Sequence, residues 1–268
     1  MSFLEAVVLG LVQGVTEFVP ISSSGHLVLV PEALGWDQPG LTFDVLLHVA
    51  SLIALLIYFS GDLIDLARGF RSGAEGARRR VRLLAIGTVP AAMAGILWGD
   101  YFERSFEDAQ ASAIQLMITA VILVAGEQFL NFHERRAART GGKLRELDDL
   151  RTPDAGAIGV AQALSILPGI SRSGSTIATG LALGVTRNDS ARFGFLLAIP
   201  ALFGAALVKL PDLGSGSIGV GPALGGFLAS LVASYAAIWG LIRYLKTRTL
   251  YPFAAYCVVA GIAFLIII

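Results

Sequence analysis

Six stretches of this chain stay apolar for nearly twenty residues each: about 41–59, 82–99, 110–131, 192–208, 222–242 and 252–268. A helix needs about 20 consecutive apolar residues to cross the hydrocarbon core of a bilayer. In lipid, every backbone N–H and C=O must pair internally, and an α-helix does this within one segment. The runs therefore predict an all-α polytopic membrane protein with six transmembrane helices. Composition supports this. Of 268 residues, 55% are hydrophobic and 15% are charged, where a soluble domain carries about a quarter charged.

Charge is informative through its distribution. Lys plus Arg number 20 and Asp plus Glu number 20, so the total points to no nucleic-acid partner. Seventeen of the 20 basic residues fall in four loops. The segment 60–82 carries Arg68, Arg71, Arg78, Arg79, Arg80 and Arg82; the segment 132–154 carries Arg135, Arg136, Arg139, Lys143, Arg145 and Arg151. Arg187 and Arg192 flank a third loop, and Arg243, Lys246 and Arg248 form the fourth. The other side offers Arg104, Lys209 and an acidic stretch at 100–108 with Asp100, Glu103, Glu107 and Asp108. The positive-inside rule puts the four basic loops in the cytoplasm. Cys257 is the one cysteine, which excludes an intrachain disulfide and a cysteine metal site. Glu5, Gln13 and Glu17 interrupt the apolar N-terminus, so it does not read as a signal peptide.

With the basic loops inside, the segment 155–184 must begin and end on the cytoplasmic side, and 1–36 must begin and end outside. Each carries a cluster of Gly, Pro and Ser at its middle: Pro20-Ile21-Ser22-Ser23-Ser24-Gly25 and Pro168-Gly169-Ile170-Ser171-Arg172-Ser173-Gly174. Each half-segment is too short to span, and broken backbone at membrane depth is tolerated only where protein or a wet cavity satisfies it. Two re-entrant helix–loop–helix hairpins are therefore expected. They match at an offset of 149 residues: Gly10 and Gln13 with Gly159 and Gln162, Ile21-Ser22-x-Ser24-Gly25 with Ile170-Ser171-x-Ser173-Gly174, Leu34-Gly35 with Leu183-Gly184. A one-residue shift then pairs Phe43, Leu46 and Leu47 with Phe193, Leu196 and Leu197. The chain thus reads as one membrane domain, 1–268. Residues 1–131 and 155–268 are repeats of one hairpin plus three spans, joined by the cytoplasmic loop 132–154. Three spans is an odd number, which inverts the second repeat and directs attention to the midplane where broken helices meet.

An ionisable side chain at membrane depth is a functional candidate by default. The first hairpin offers Gln13, Glu17 and His26; the second offers Arg172; Ser22, Ser23, Ser24, Ser171, Ser173 and Ser175 crowd the turns. Pooled, these groups suit a phosphoryl group. Backbone N–H groups at Gly25, Gly169 and Gly174 can cradle an anion at a helix N-terminus. Arg172 supplies a planar fork for phosphate oxygens. Gln13 and Glu17, one turn apart on one helix face, can hold a divalent cation through oxygen. Ser23 or His26 can attack phosphorus while the other assists with the proton. Plainer roles stand beside these. Glu17 and Arg172 can simply neutralise each other, His26 can be a satisfied core residue, and the serines can bond back to helix carbonyls. His48 is expected at the interface, and Glu5, Glu127 and Asp154 in solvent. The residues alone support an anionic ligand at the midplane and do not separate catalysis from transport.

The run Gln13-Gly14-Val15-Thr16-Glu17-Phe18-Val19-Pro20-Ile21-Ser22-Ser23-Ser24-Gly25-His26-Leu27, together with Pro168–Gly174, resembles the undecaprenyl-diphosphate phosphatase family, the integral-membrane type linked to bacitracin resistance. The resemblance extends over nearly the whole chain. It implies hydrolysis of undecaprenyl diphosphate to the monophosphate, recycling the bacterial cell-wall lipid carrier, with Mg2+ or Ca2+ as cofactor. It implies a multi-pass protein of the cytoplasmic (inner) membrane whose site opens to the periplasm. By position, Glu17 is the essential carboxylate, Ser23 the proposed nucleophile, His26 the nucleophile or acid/base, and Arg172 the phosphate clamp. Ser171 and Ser173 match the second phosphate-binding turn. Gln13 stands where many members have Glu, which removes one charge from the cation pair.

A C55 tail cannot leave the bilayer, since each buried methylene is worth about 0.8 kcal/mol. The polar site must therefore come to the lipid. The expected partners are the polyprenyl diphosphate and membrane lipids, with the oligomeric state open between monomer and homodimer. The competing reading is a polyprenyl-phosphate flippase or another secondary transporter of an anion, because inverted repeats with broken helices are common there. The repeats differ chemically, Glu17 aligning with Ile166, Ser23 with Arg172 and His26 with Ser175, which favours one catalytic face.

Overall fold

The computed structural model describes residues 1–105, 108–209 and 218–267, and among these the chain is helical apart from turns and one isolated bridge between Arg145 and Val185. The helices are α1 (Phe3–Phe18), α2 (Ser23–Leu34), α3 (Leu41–Tyr58), α4 (Ser60–Arg71), α5 (Glu75–Ser105), α6 (Ala109–Thr140), α7 (Thr152–Leu164), α8 (Arg172–Ala182), α9 (Arg187–Lys209), α10 (Val220–Tyr244) and α11 (Tyr251–Ile267), with a 3-10 turn at Leu147–Asp149. Part of the acidic 100–108 stretch lies outside the described residues, as do the side chains of Arg104 and Lys209.

Four helical segments are long and apolar enough to cross a membrane: Glu75–Gly99, Ala109–Thr140, Arg187–Val208 and Val220–Tyr244. A fifth qualifies when α3 and α4 are counted together, although they meet at a bend of 68°. Helix α11 is apolar throughout but shorter. The sixfold expectation from hydropathy is thus met by length at four or five places. The segment 60–82, expected as a loop, is instead α4 and the start of α5, because its residues are good helix formers at amphipathic spacing. The apolar faces of the long helices stay uncovered by protein, with Ile96 81%, Val121 67% and Val232 67% exposed. Soluble proteins rarely expose so much contiguous apolar surface.

Helices α1 and α2 form one helix–turn–helix pair, and α7 and α8 another. At about 1.5 Å per residue, none of the four reaches the roughly 30 Å of a bilayer core. Each first helix packs against a long helix of the other half of the chain, α1 on α10 and α7 on α5. Helices α3 and α9 pack on each other, as do α6 and α11. Two glycine crossings explain the close approach. A methyl group added to Gly10 would collide with the carbonyl of Gly226, and one added to Gly159 with the carbonyl of Gly87. One turn beyond Gly10, Gly14 sits against Ser230, Ala233 and Ser234. Small residues at four-residue spacing let helices approach until van der Waals contact supplies the attraction that lipid does not. The hydroxyl of Ser234 donates to Ser51 (3.0 Å) and that of Ser230 to the Leu47 carbonyl (3.0 Å), fastening α10 to α3 on the same level.

Ion pairs tie the basic end together and correct two expectations. Glu127 is fully buried. It takes a forked contact from Arg187 and the backbone N–H of Leu250 at 2.7 Å, which joins α6, α9 and the start of α11. Asp154 is buried as well, paired with Arg145 and accepting from the backbone N–H of Arg151 (2.7 Å) at the start of α7. Both carboxylates are held by basic loops rather than by solvent. Glu5 caps α1 with Ser2.

The α1–α10 crossing is directly testable. Gly14→Val should destabilise the folded protein in detergent by about 1–3 kcal/mol, the usual penalty of overpacking. Gly240→Ala, where a methyl meets open space within α10, should leave the thermal midpoint unchanged or raise it slightly, alanine being the better helix former. Equal midpoints for the two variants would contradict the crossing.

Candidate functional site

The turn between α1 and α2 meets the turn between α7 and α8. Each turn carries one residue at positive φ. Ser22 caps α2 with φ +69° and ψ 101°, a conformation that costs about 1–3 kcal/mol in a residue with a side chain. Its hydroxyl accepts from Gly25 N–H (3.3 Å), and its carbonyl accepts from His26 Nδ1–H (2.7 Å). In the second turn, Gly169 has φ +92°, and a methyl there would strike the Ser112 carbonyl. Thr119 of α6 splints this turn, donating to the Gly169 carbonyl (2.9 Å) and accepting from Ser171 N–H (2.9 Å). Ser171 caps α8 by accepting from Gly174 N–H (3.0 Å).

The two turns touch through several contacts. Gly169 N–H donates to Ser24 Oγ (3.4 Å), Ser173 Oγ donates to the Val19 carbonyl (3.4 Å), and Gly25 faces Gly169 with no room between them for a larger side chain. The serines therefore cap helices and bridge the turns instead of bonding back into their own helices. Ser23 and Arg172 each occupy the first position of their helix. Two helix N-termini, each with partial positive charge, thus carry site residues into the same contact.

Glu17 lies at the centre, 4% exposed in its side chain. One oxygen accepts from the Arg172 guanidinium; the other accepts from Ser23 Oγ (2.6 Å) and Gln13 Nε2 (3.0 Å). Of the residues singled out by sequence, Gln13, Glu17, Ser23 and Arg172 converge directly, while Ser22, Ser24, Gly25, Gly169, Ser171, Ser173 and Gly174 form the two turns around them. His26 is not bonded into this cluster. Its ring stacks on Tyr256 of α11, with centroids 5.7 Å apart and planes at 13°, and its Nε2 lies 2.7 Å from the Tyr256 hydroxyl.

His48 corrects the interfacial expectation. Its Nε2 is 3.7 Å from the second oxygen of Glu17, and its Nδ1 donates to the Asp44 carbonyl (2.7 Å). Its position within α3 hid this role, because the contact comes from α3 packing on α1. Tyr256 was also missed; only its aromaticity within the apolar C-terminal run could have flagged it.

A cation can be tested against the donor set. Among the described residues there is no cluster of three or more His, Cys, Asp or Glu arranged for a metal. Gln13 Oε1, however, is buried without a hydrogen-bond partner, while Nε2 of the same amide faces Glu17. Turned over, so that Oε1 faces the carboxylate, this amide would fit a hard cation that takes its remaining oxygens from a ligand.

The sequence profile of the bacitracin resistance protein BacA family matches residues 6–263. Curated relatives carry the name undecaprenyl-diphosphatase. One from Syntrophotalea carbinolica is 42% identical over 97% of this chain and 97% of the relative. One from Methanosphaera stadtmanae is 37% identical over 100% and 98%, and one from Thermobifida fusca is 37% identical over 100% and 91%.

The buried pair makes its own stability prediction. Arg172→Met strands the Glu17 carboxylate and should cost about 3–5 kcal/mol, whereas Glu17→Leu combined with Arg172→Met should recover most of that loss. Thermal unfolding of the single and double variants measures this. Additive losses would contradict a direct pair.

Proposed function

Because the chain belongs to the bacitracin resistance protein BacA family, we propose that it is a phosphatase that hydrolyses undecaprenyl diphosphate to undecaprenyl phosphate and inorganic phosphate. The observation that carries the reading is the double engagement of Glu17, with Ser23 on one oxygen and Arg172 on the other. At rest the anion-binding guanidinium and the carboxylate satisfy each other. An incoming diphosphate draws Arg172 onto its terminal phosphoryl oxygens, and the N–H groups of the α2 and α8 termini supplement that charge. Glu17 is then free to act as base.

Ser23 is the nucleophile in this scheme, because its hydroxyl already donates to Glu17 while His26 Nε2 is engaged with Tyr256. The Ser23 proton passes to Glu17 as the Oγ–P bond forms. The anhydride P–O bond breaks, and undecaprenyl phosphate leaves with the electron pair. Water then cleaves the Oγ–P bond, giving orthophosphate and restoring the hydroxyl. With the Gln13 amide turned over, its Oε1 and Glu17 would hold Mg2+ or Ca2+, which supplies neutralisation of the diphosphate charge.

The membrane arrangement proposed for this chemistry has six crossings, with α1–α2 and α7–α8 as re-entrant hairpins entering from opposite faces. What supports it is the shortness of the four hairpin helices, the basic loops on one side, and the matching crossings of α1 on α10 and α7 on α5. The halves 1–131 and 155–268 are then inverted repeats. The protein sits in the bacterial inner membrane and draws its lipid from the periplasmic leaflet.

Purified protein should release phosphate from C55 or C15 diphosphates. Arg172→Ala should lower kcat/KM by about 10²–10³, and Glu17→Gln should lower kcat by about 10²–10⁴. An acid-stable phosphoserine should map to Ser23. Retained turnover in Arg172→Ala would remove the clamp, and full activity in Ser23→Ala would remove the nucleophile. Proteoliposomes with substrate in one leaflet, assayed for product sidedness, separate a hydrolase from a flippase.

A further inference from the structure

His26 is the one catalytic candidate that the site geometry leaves to one side, and the reason is visible. Nδ1 donates to the Ser22 carbonyl, an acceptor with no proton to offer, so this nitrogen carries the hydrogen. In the neutral ring, Nε2 is then a bare acceptor, and the Tyr256 hydroxyl 2.7 Å away is its donor. The rings lie nearly parallel at 5.7 Å, and Phe264 meets the imidazole edge-on with centroids 6.3 Å apart. His26 is 3% exposed, whereas Tyr256 is 44% exposed on an otherwise apolar helix. An exposed tyrosine spending its one O–H on a buried histidine of another helix is a specific arrangement. Ring stacking alone would be served as well by Phe.

We propose that Tyr256 is a positioning residue for His26. The Ser22 carbonyl already sets the Nδ1–H tautomer; the Tyr256 hydroxyl occupies the Nε2 lone pair and its ring fixes the imidazole plane, so that this lone pair is held on the α11 side of the turn. His26 thereby serves the site through the Ser22 carbonyl and its strained backbone, while Tyr256 keeps its Nε2 from bonding elsewhere. Helices α2 and α11 are otherwise joined by few contacts, and beside this hydrogen bond the first hairpin is tied to α11 by the weaker Cys257 thiol contact to the Pro20 carbonyl (3.9 Å).

The kinetic arm of the test rests on the phosphatase reading; the labelling arm does not. Tyr256→Phe keeps the stacked ring and removes the hydroxyl. It should lower kcat about tenfold, the upper range for one hydrogen bond, with KM within about twofold. In a His26→Gln background the same substitution should add no further loss, because its effect travels through His26. In the labelling arm, diethyl pyrocarbonate reacts at a bare imidazole nitrogen, and peptide mapping separates His26 from His48 and His133. Carbethoxylation of His26 should be about fivefold faster in Tyr256→Phe. Equal labelling rates, an additive loss in the double variant, or a rise in KM with kcat unchanged would each overturn the proposal. If the unmodified protein releases no phosphate, the phosphatase reading fails, and the labelling rates still decide the role of Tyr256.

Discussion

The structure depends on one ion pair between segments far apart in sequence. Glu17 and Arg172 are separated by 155 positions and meet where two hairpin turns touch. Either charge buried alone there would cost several kcal/mol. Together, with Ser23 and Gln13 donating to the same carboxylate, they are affordable and they hold the turns head to head. On the proposed reading, the same pairing that permits the charges to be buried also stores an anion site in closed form. In the proposed reaction, the fork that would grip phosphate is occupied by a carboxylate, and that carboxylate would be the base.

Around this pair the backbone does what side chains cannot. Gly169 takes a left-handed conformation against the Ser112 carbonyl, and Ser22 adopts a positive φ, so that two helices begin at the contact. Gly10 and Gly159 let the first helix of each hairpin seat against a long helix of the other half. The long helices present apolar faces outward, and polar satisfaction is concentrated at the turns and at the basic end. There Arg187, Arg145, Arg192 and Arg80 pair with Glu127, Asp154, Asp62 and Asp148.

Much of this was legible in the sequence, because hydropathy, turn residues and isolated charges are local signals. The Gly/Ser/Pro clusters marked the turns, and Glu17 and Arg172 stood out as charges within apolar runs. Partnerships that depend on helix packing were not legible. Glu127 looked solvated because its partner Arg187 lies 60 residues away. His48 looked interfacial because nothing local shows that α3 turns it toward Glu17. Tyr256 looked like one more aromatic in a lipid-facing run. Helix α4 was hidden because its arginines read as a loop signal, although Arg192 of α9 pairs with its Asp62.

The most direct test is whether the two turns meet in the bilayer. Val19→Cys and Ser173→Cys, in a Cys257→Ala background with a protease site introduced after Gly142, can be treated with a short bis-thiol reagent in native membranes. The account predicts that the halves stay joined after cleavage, and separate when either new cysteine is omitted. Halves that separate despite complete labelling of both thiols would show that the turns lie apart, and the pooled site would not exist.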